Sequence, residues 1–257
     1  MTAYIGTSGW QYRDWKERFY PQSTPQRAWL EFYAERFVTV ESNNAFYRLP
    51  ERATFEQWAA RTPDDFVMAV KMSRYLTHIR RLRNAAEPVA RFLERSEGLG
   101  SKLGPVLLQL PPTLKSDLGA LDDTLRNFPR SVRVAVEFRH DTWFNDETRA
   151  LLESHGAALC LADRGSRPVS PLWRTADWTY LRFHAGLAEP QPCYGRSSLG
   201  TWARRIADGW GDRADAFVYF NNDTLGCALR DARVFAREAE RAGLNPTRVP
   251  QEVVHAG

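Results

Sequence analysis

The chain has 257 residues, 43% apolar and 26% charged, and its 35 basic and 31 acidic side chains leave a net charge of +4. That composition excludes a chain too polar to collapse, and apolar runs such as Ala157–Ala162 fall far short of the roughly 20 residues a membrane helix needs. The mild positive charge permits contact with phosphate or nucleic acid without demanding it, and no membrane partner is expected.

Short β-rich runs alternate with helical patterns along the chain. The predicted strands are Tyr4–Thr7, Val38–Glu41, Phe66–Lys71, Val106–Leu110, Val132–Phe138, Ala157–Leu161, Thr179–Phe183 and Ala216–Phe220. Between them, Gln26–Phe37 places Trp29, Phe32, Tyr33 and Phe37 at one-face helical spacing. Further helices are expected over Ala53–Arg61, Ala86–Leu99, Leu118–Asn127, Asp146–Ser154, Leu199–Ala207 and Leu225–Ala242. Pro168 and Pro171 deny a helix to the segment after the sixth strand. Eight strands alternating with helices in this length predict one (β/α)8 TIM-like barrel spanning residues 1–257. A doubly wound open sheet is the alternative, disfavoured because polar residues recur near strand ends. Period-two alternation groups Glu41 with Asn43, Lys71 with Ser73, Glu137 with Arg139, and Arg182 with His184, while Gln109 closes the fourth strand. In a barrel those ends form the catalytic mouth.

The N-terminus, Met1-Thr2-Ala3-Tyr4-Ile5-Gly6, has no basic or apolar leader segment, so no secretory signal is expected. Cys160, Cys193 and Cys227 are odd in number, widely spaced and in no Cys-x-x-Cys pair. Neither a disulfide framework nor a zinc–thiolate site is indicated, and a cytoplasmic location is expected.

The chain resembles domain-of-unknown-function family 72, the YecE-like proteins. The resemblance rests on Ile5-Gly6-Thr7-Ser8-Gly9-Trp10 with Tyr12, Trp15 and Phe19-Tyr20-Pro21, then Val40-Glu41-Ser42-Asn43 with Phe46-Tyr47 and Pro50. It continues through Phe66, Lys71, Thr77-His78, Gln109-Leu110-Pro111-Pro112, Glu137-Phe138-Arg139-His140 with Trp143, and Arg182 with His184. Tyr219-Phe220-Asn221-Asn222-Asp223 with Gly226 and Ala228 completes it. It implies a β/α barrel and assigns no catalytic residue. Ala45 stands where the family usually has threonine, and Ala185 separates His184 from the glycine that normally follows it.

Glu41 and Glu137 are the candidate general acid and base, with His184 as a second acid/base group. Lys71 is a further catalytic candidate, because desolvation and nearby arginines would lower its pKa. If a glutamate holds it, it is structural or anion-binding. Trp10, Tyr12, Asn43, Tyr47, Gln109, Arg139, Trp143, Arg182, Asn222 and Asp223 are candidate ligand contacts. The competing expectation is a buried charge network. Replacing Glu137 with glutamine separates the two, since a wet mouth should keep its stability. The five histidines, His78, His140, His155, His184 and His255, form no H-x-H or H-E-x-x-H pattern. A metal-free site is therefore expected, with a labile Mg²⁺ or Mn²⁺ left open.

Two functions follow. One is an enzyme, a hydrolase or lyase in type, acting by acid/base chemistry on a phosphorylated, sugar-like or nucleic-acid-derived ligand. The other is a nucleic-acid-binding protein without catalysis, related only at fold level to endonuclease IV-type barrels. It would use Arg80, Arg81 and Arg83 with aromatics at the rim.

Overall fold

The structure, a computed structural model, describes residues 1–211 and 214–251; His255 lies outside the described residues. Eight strands follow the predicted order: β1 (Thr2–Thr7), β2 (Thr39–Ser42), β3 (Val67–Lys71), β4 (Leu103–Gln109), β5 (Val134–Glu137), β6 (Ala158–Arg164), β7 (Thr179–Ala185) and β8 (Ala216–Phe220). A two-residue β9 (Asn245–Pro246), which no sequence signal marks, joins β1. Every pairing is parallel, and the sheet runs β2-β3-β4-β5-β6-β7-β8-β1-β9 among the described residues.

Helices α1 (Trp29–Ala34), α2 (Asn44–Tyr47), α3 (Arg52–Ala60), α4 (Ala86–Ser96), α5 (Leu118–Arg126), α6 (Asp146–His155), α7 (Arg196–Trp210) and α8 (Cys227–Arg241) fill the connections. None forms between β6 and β7, as the two prolines there require. The predicted Gln26–Phe37 helix opens as a 3₁₀ turn over Gln26–Ala28 and ends at Ala34. The four-residue α2 and a π-turn over Tyr75–Ile79 carry no periodic signal and were not anticipated. No helix among the described residues is long and apolar enough to cross a membrane.

The sheet curls because its two faces bury different things. Outward residues such as Val40, Val70, Leu108, Val136, Leu159 and Val218 join the aromatics of the helices in one large core. Inward residues form a second, smaller core, where Ala69, Ala135 and Ala158 leave room for Tyr180, Tyr219 and Phe217 reaching from the facing strands. Small against large across the interior is how a closely curved sheet fills its own volume.

Strands β1 and β2 meet without a ladder. A methyl group on Gly6 would stand 2.3 Å from the Thr39 carbonyl oxygen, so the two backbones approach only because Gly6 has no side chain. The Tyr33 hydroxyl bridges the seam, accepting from the Thr7 amide at 3.1 Å and donating to the Thr39 carbonyl at 3.0 Å.

One expectation is overturned. Cys193 and Cys227 form a disulfide, which ties the β7–α7 loop to the start of α8, and only Cys160 is free and buried. Neither cysteine lies in a spacing motif, because the fold brings together positions 34 residues apart. Disulfides persist chiefly in oxidising compartments, so the cysteines no longer argue for a reducing cytoplasm.

Candidate functional site

Because the strands are parallel and alternate, the polar residues at their carboxyl ends converge at one end of the sheet. At the centre is Arg182 of β7, 1% exposed. Its guanidinium grips both predicted carboxylates, Nη2 donating to Glu41 Oε1 at 2.8 Å and Nη1 to Glu137 Oε2 at 2.6 Å. The other Glu41 oxygen accepts from the Tyr180 hydroxyl at 2.6 Å. The other Glu137 oxygen accepts from Arg139 Nε at 3.0 Å and lies 3.1 Å from His184 Nε2. All four carboxylate oxygens are occupied, and the acids are 0% and 2% exposed. A paired, dry network of this kind stabilises only while complete. The expectation of a wet mouth indifferent to Glu137→Gln is therefore corrected.

Titration follows from these contacts. Burial alone pushes the Glu137 carboxyl up, but Arg182, His184 and Arg139 outweigh it and hold the group well below the ordinary carboxylate range. Burial lowers the His184 pKa, and its Glu137 contact only partly offsets this. Asn221 Nδ2 lies 3.3 Å from His184 Nδ1, so the neutral ring carries its proton on Nε2, toward Glu137.

Lys71 differs from the glutamates and Arg182 beside it. It is 8% exposed at the last position of β3, and its Nζ sits 3.9 Å from the centre of the Phe46 ring. Among the described residues the amine makes no hydrogen bond and no ion pair; neither glutamate holds it. Desolvation and the Arg182 charge outweigh the pull of Glu41 and Glu137, bringing its pKa down to about 8. His78, edge-on to Phe46 with ring centres 5.0 Å apart, is likewise lowered, first by burial and then by Lys71.

The predicted ligand contacts divide into groups. Asn43 Nδ2 and the Tyr12 hydroxyl both donate to the Ser8 carbonyl, at 3.0 and 2.5 Å, joining the exits of β1 and β2. Ser8 Oγ and Asn43 Oδ1 are buried there without a partner among the described residues, as is Arg182 Nε. Arg139 keeps its side chain 32% exposed, and Tyr47 is exposed. Gln109 donates to the Leu110 carbonyl at 2.8 Å. Asn222 belongs to another set, donating to Asp231 and to the Pro192 carbonyl beside the disulfide. Half-buried Asp223 stands with Tyr12, and burial raises its pKa.

Two of the predicted ligand contacts are core residues. Trp143 is fully buried, stacks on Phe138 and gives its indole N–H to the Leu114 carbonyl at 2.8 Å. Trp10 is 3% exposed and packs edge-on against Trp58. Neither leaves a ring face open to a ligand. Conversely, Tyr180, His78 and Asn221 are not among the residues selected from the sequence, and Phe46 enters there only as one of the rim aromatics. Tyr180 alternates in register with Arg182, and His78 and Phe46 lie in quoted motifs, which were the available signals. Among the described residues, no three His, Cys, Asp or Glu side chains are grouped to hold a metal.

A curled parallel sheet with a ring of charges at its carboxyl ends places the chain among proteins similar to TIM barrels. The chain belongs to the family described as "Protein of unknown function DUF72", which matches residues 4–253. It is 24% identical to UPF0759 protein YunF of Bacillus subtilis (strain 168), over 95% of this chain and 97% of that one. A DUF72 family crystal structure (TM1631) from Thermotoga maritima MSB8 is 28% identical, with a TM-score of 0.81 over 93% of this chain and all of that one. A xylose isomerase-like TIM barrel/4-hydroxyphenylpyruvate dioxygenase fusion protein matches in fold alone, with 15% identity and a TM-score of 0.54 over 99% of this chain and 46% of that one.

Proposed function

We propose that the chain is an enzyme acting on a small anionic ligand, phosphorylated, sugar-like or nucleic-acid-derived. The ligand enters the carboxyl-end mouth of an eight-stranded β/α barrel closed at the Tyr33 seam. One observation carries this reading: Lys71 is 8% exposed and its amine has no hydrogen bond or ion pair among the described residues, while both neighbouring glutamates are saturated. Glu41 and Glu137 are balanced by Arg182 and Arg139, so Lys71 is the surplus cation. With a pKa of about 8, roughly one molecule in ten carries the free base at pH 7, within the range useful for proton transfer. Glu41, Glu137 and His184 then position Arg182 and shape the mouth. Exposed Arg139 supplies donors for ligand oxygens.

Thermal shifts with inorganic phosphate, glucose 6-phosphate and AMP test this. A ligand at a hundred times its Kd adds about 2.7 kcal/mol, hence roughly 5–10 °C for a chain of this size. At least one compound should raise the parent's Tm and leave Lys71→Met unmoved. Equal shifts in both proteins would exclude the site.

A second reading has its own observation. The loop leaving β3 exposes Arg80, Arg81 and Arg83, which with Lys115 line a surface cavity of about 590 Å³. It holds Arg81, Leu82 and Asn84 in the left-handed region, at φ of 53°, 68° and 52°. Asparagine tolerates that conformation, but arginine and leucine adopt it only when their surroundings impose it. Arg80 and Arg81 rest on neutral acceptors, the Tyr75 hydroxyl and the Thr113 carbonyl, so their charge remains available to a nucleic-acid backbone. Converting all three arginines to glutamine should weaken duplex binding and reduce its log–log salt slope by about 2–3. An unchanged slope removes this reading.

A further inference from the structure

We infer that Lys71 is an amine nucleophile that condenses with the carbonyl carbon of an anionic aldehyde or ketone, held at the mouth through an imine to Nζ. The inference rests on the functional reading above and names the reaction of that same site.

Three features of the geometry support it. First, Nζ makes no hydrogen bond and no ion pair among the described residues. A lysine kept for architecture is tied down, as Lys102 is by the Ala59 and Thr62 carbonyls, both at 2.6 Å. Second, the face of Phe46 lies 3.9 Å from Nζ, a cation–π contact that fixes where the amine sits at the mouth without occupying its hydrogen-bonding positions. Third, Arg139, at the exit of β5 with its side chain 32% exposed, can offer its guanidinium to a carboxylate or phosphate on the incoming ligand. Desolvation beside another cationic group is a known way to activate an amine for covalent chemistry. The lowered pKa is in keeping with the geometry.

The step balances without an oxidant or reductant. The Nζ lone pair forms the C–N bond, and the carbonyl π pair moves to oxygen. That oxygen takes one proton from nitrogen and a second from solvent by way of neutral His78, then leaves as water. The product is a protonated imine on Lys71, and adding water reverses the sequence. His78 is placed for this relay by its edge contact with Phe46, while its Nδ1 lies 2.8 Å from the Thr77 hydroxyl.

The composition makes the test clear, because the chain has only four lysines, Lys16, Lys71, Lys102 and Lys115. The full-length protein is incubated with glyoxylate and sodium cyanoborohydride across pH 6–10, and adducts are mapped by peptide mass spectrometry. Lys71 should be modified at least tenfold faster than the exposed Lys16 and Lys115, with a rate midpoint near pH 8. Lys71→Arg should retain the fold by circular dichroism and lose that adduct alone. Modification of Lys16 and Lys115 with Lys71 spared overturns the inference. If phosphate compounds still raise the parent's Tm through Lys71 while no Lys71 adduct forms, the imine is wrong and the site stands. If neither occurs, both fail.

Discussion

Glu137→Ala is expected to lower stability by about 3–5 kcal/mol, the usual cost of removing one partner from a buried charge pair. At 2–4 °C per kcal/mol for a chain of this length, Tm should fall by roughly 6–20 °C. The cost arises because Arg182, 1% exposed, would keep its charge beside Glu41 alone, while Arg139 and His184 would lose their shared acceptor. Glu137→Gln, which preserves shape but not charge, should lose stability in the same direction. The pH dependence has a definite sign. The Glu137 pKa is held well below its ordinary 4.5 in the fold, so its contribution is complete above pH 4.5 and disappears as pH falls through the lowered value. Urea unfolding of parent and variant at pH 7 and pH 3 measures the difference. A variant as stable as the parent at pH 7 would mean that the network contributes nothing to folding.

Lys71→Met should act in the opposite direction, raising stability by about 3 kcal/mol at pH 7. The fall of the amine from its ordinary 10.5 to about 8, at about 1.36 kcal/mol per pH unit, sets that figure. The folded state disfavours the charged form, so the parent bears the full penalty below pH 8. The penalty shrinks as pH rises from 8 toward 10.5, where the unfolded chain loses its proton too. The advantage of the variant should therefore fade over that interval. Methionine approximates the lysine stem in volume, so little repacking should be needed. The same substitution should abolish the phosphate-dependent Tm shift and the glyoxylate adduct. A gain in stability coupled to loss of binding marks a group retained at a folding cost for its chemistry. A loss of several kcal/mol would instead show that Lys71 supports the fold.

The strands were legible because β/α units write two strong periods into the chain, and strand-end polar residues such as Glu41, Glu137 and Arg182 stand out against apolar runs. What those residues do was not legible. Alternation places Lys71 and both glutamates on one face, but only three-dimensional contacts show that Arg182 takes both acids and leaves the amine to Phe46. Trp143 illustrates the reverse problem. An aromatic just past a strand reads equally as a stacking platform or as packing, and only its Leu114 hydrogen bond and complete burial decide. The Cys193–Cys227 bond was hidden for a similar reason, because pairing follows from where two loops fold and not from sequence spacing.

The strand order also constrains when the protein can assemble. β2 through β7 each pair with their successor, but β1 finds its ladders only on β8, where Ala3 meets Ala216, and on the still later β9. During synthesis the first strand therefore leaves the ribosome with no neighbour to accept it, and Gly6 and Thr7 wait for a partner made more than 200 residues later. Until then its apolar edge is open to unintended pairing with nascent chains nearby. Closing so long a loop also places the last docking step late and makes it slow.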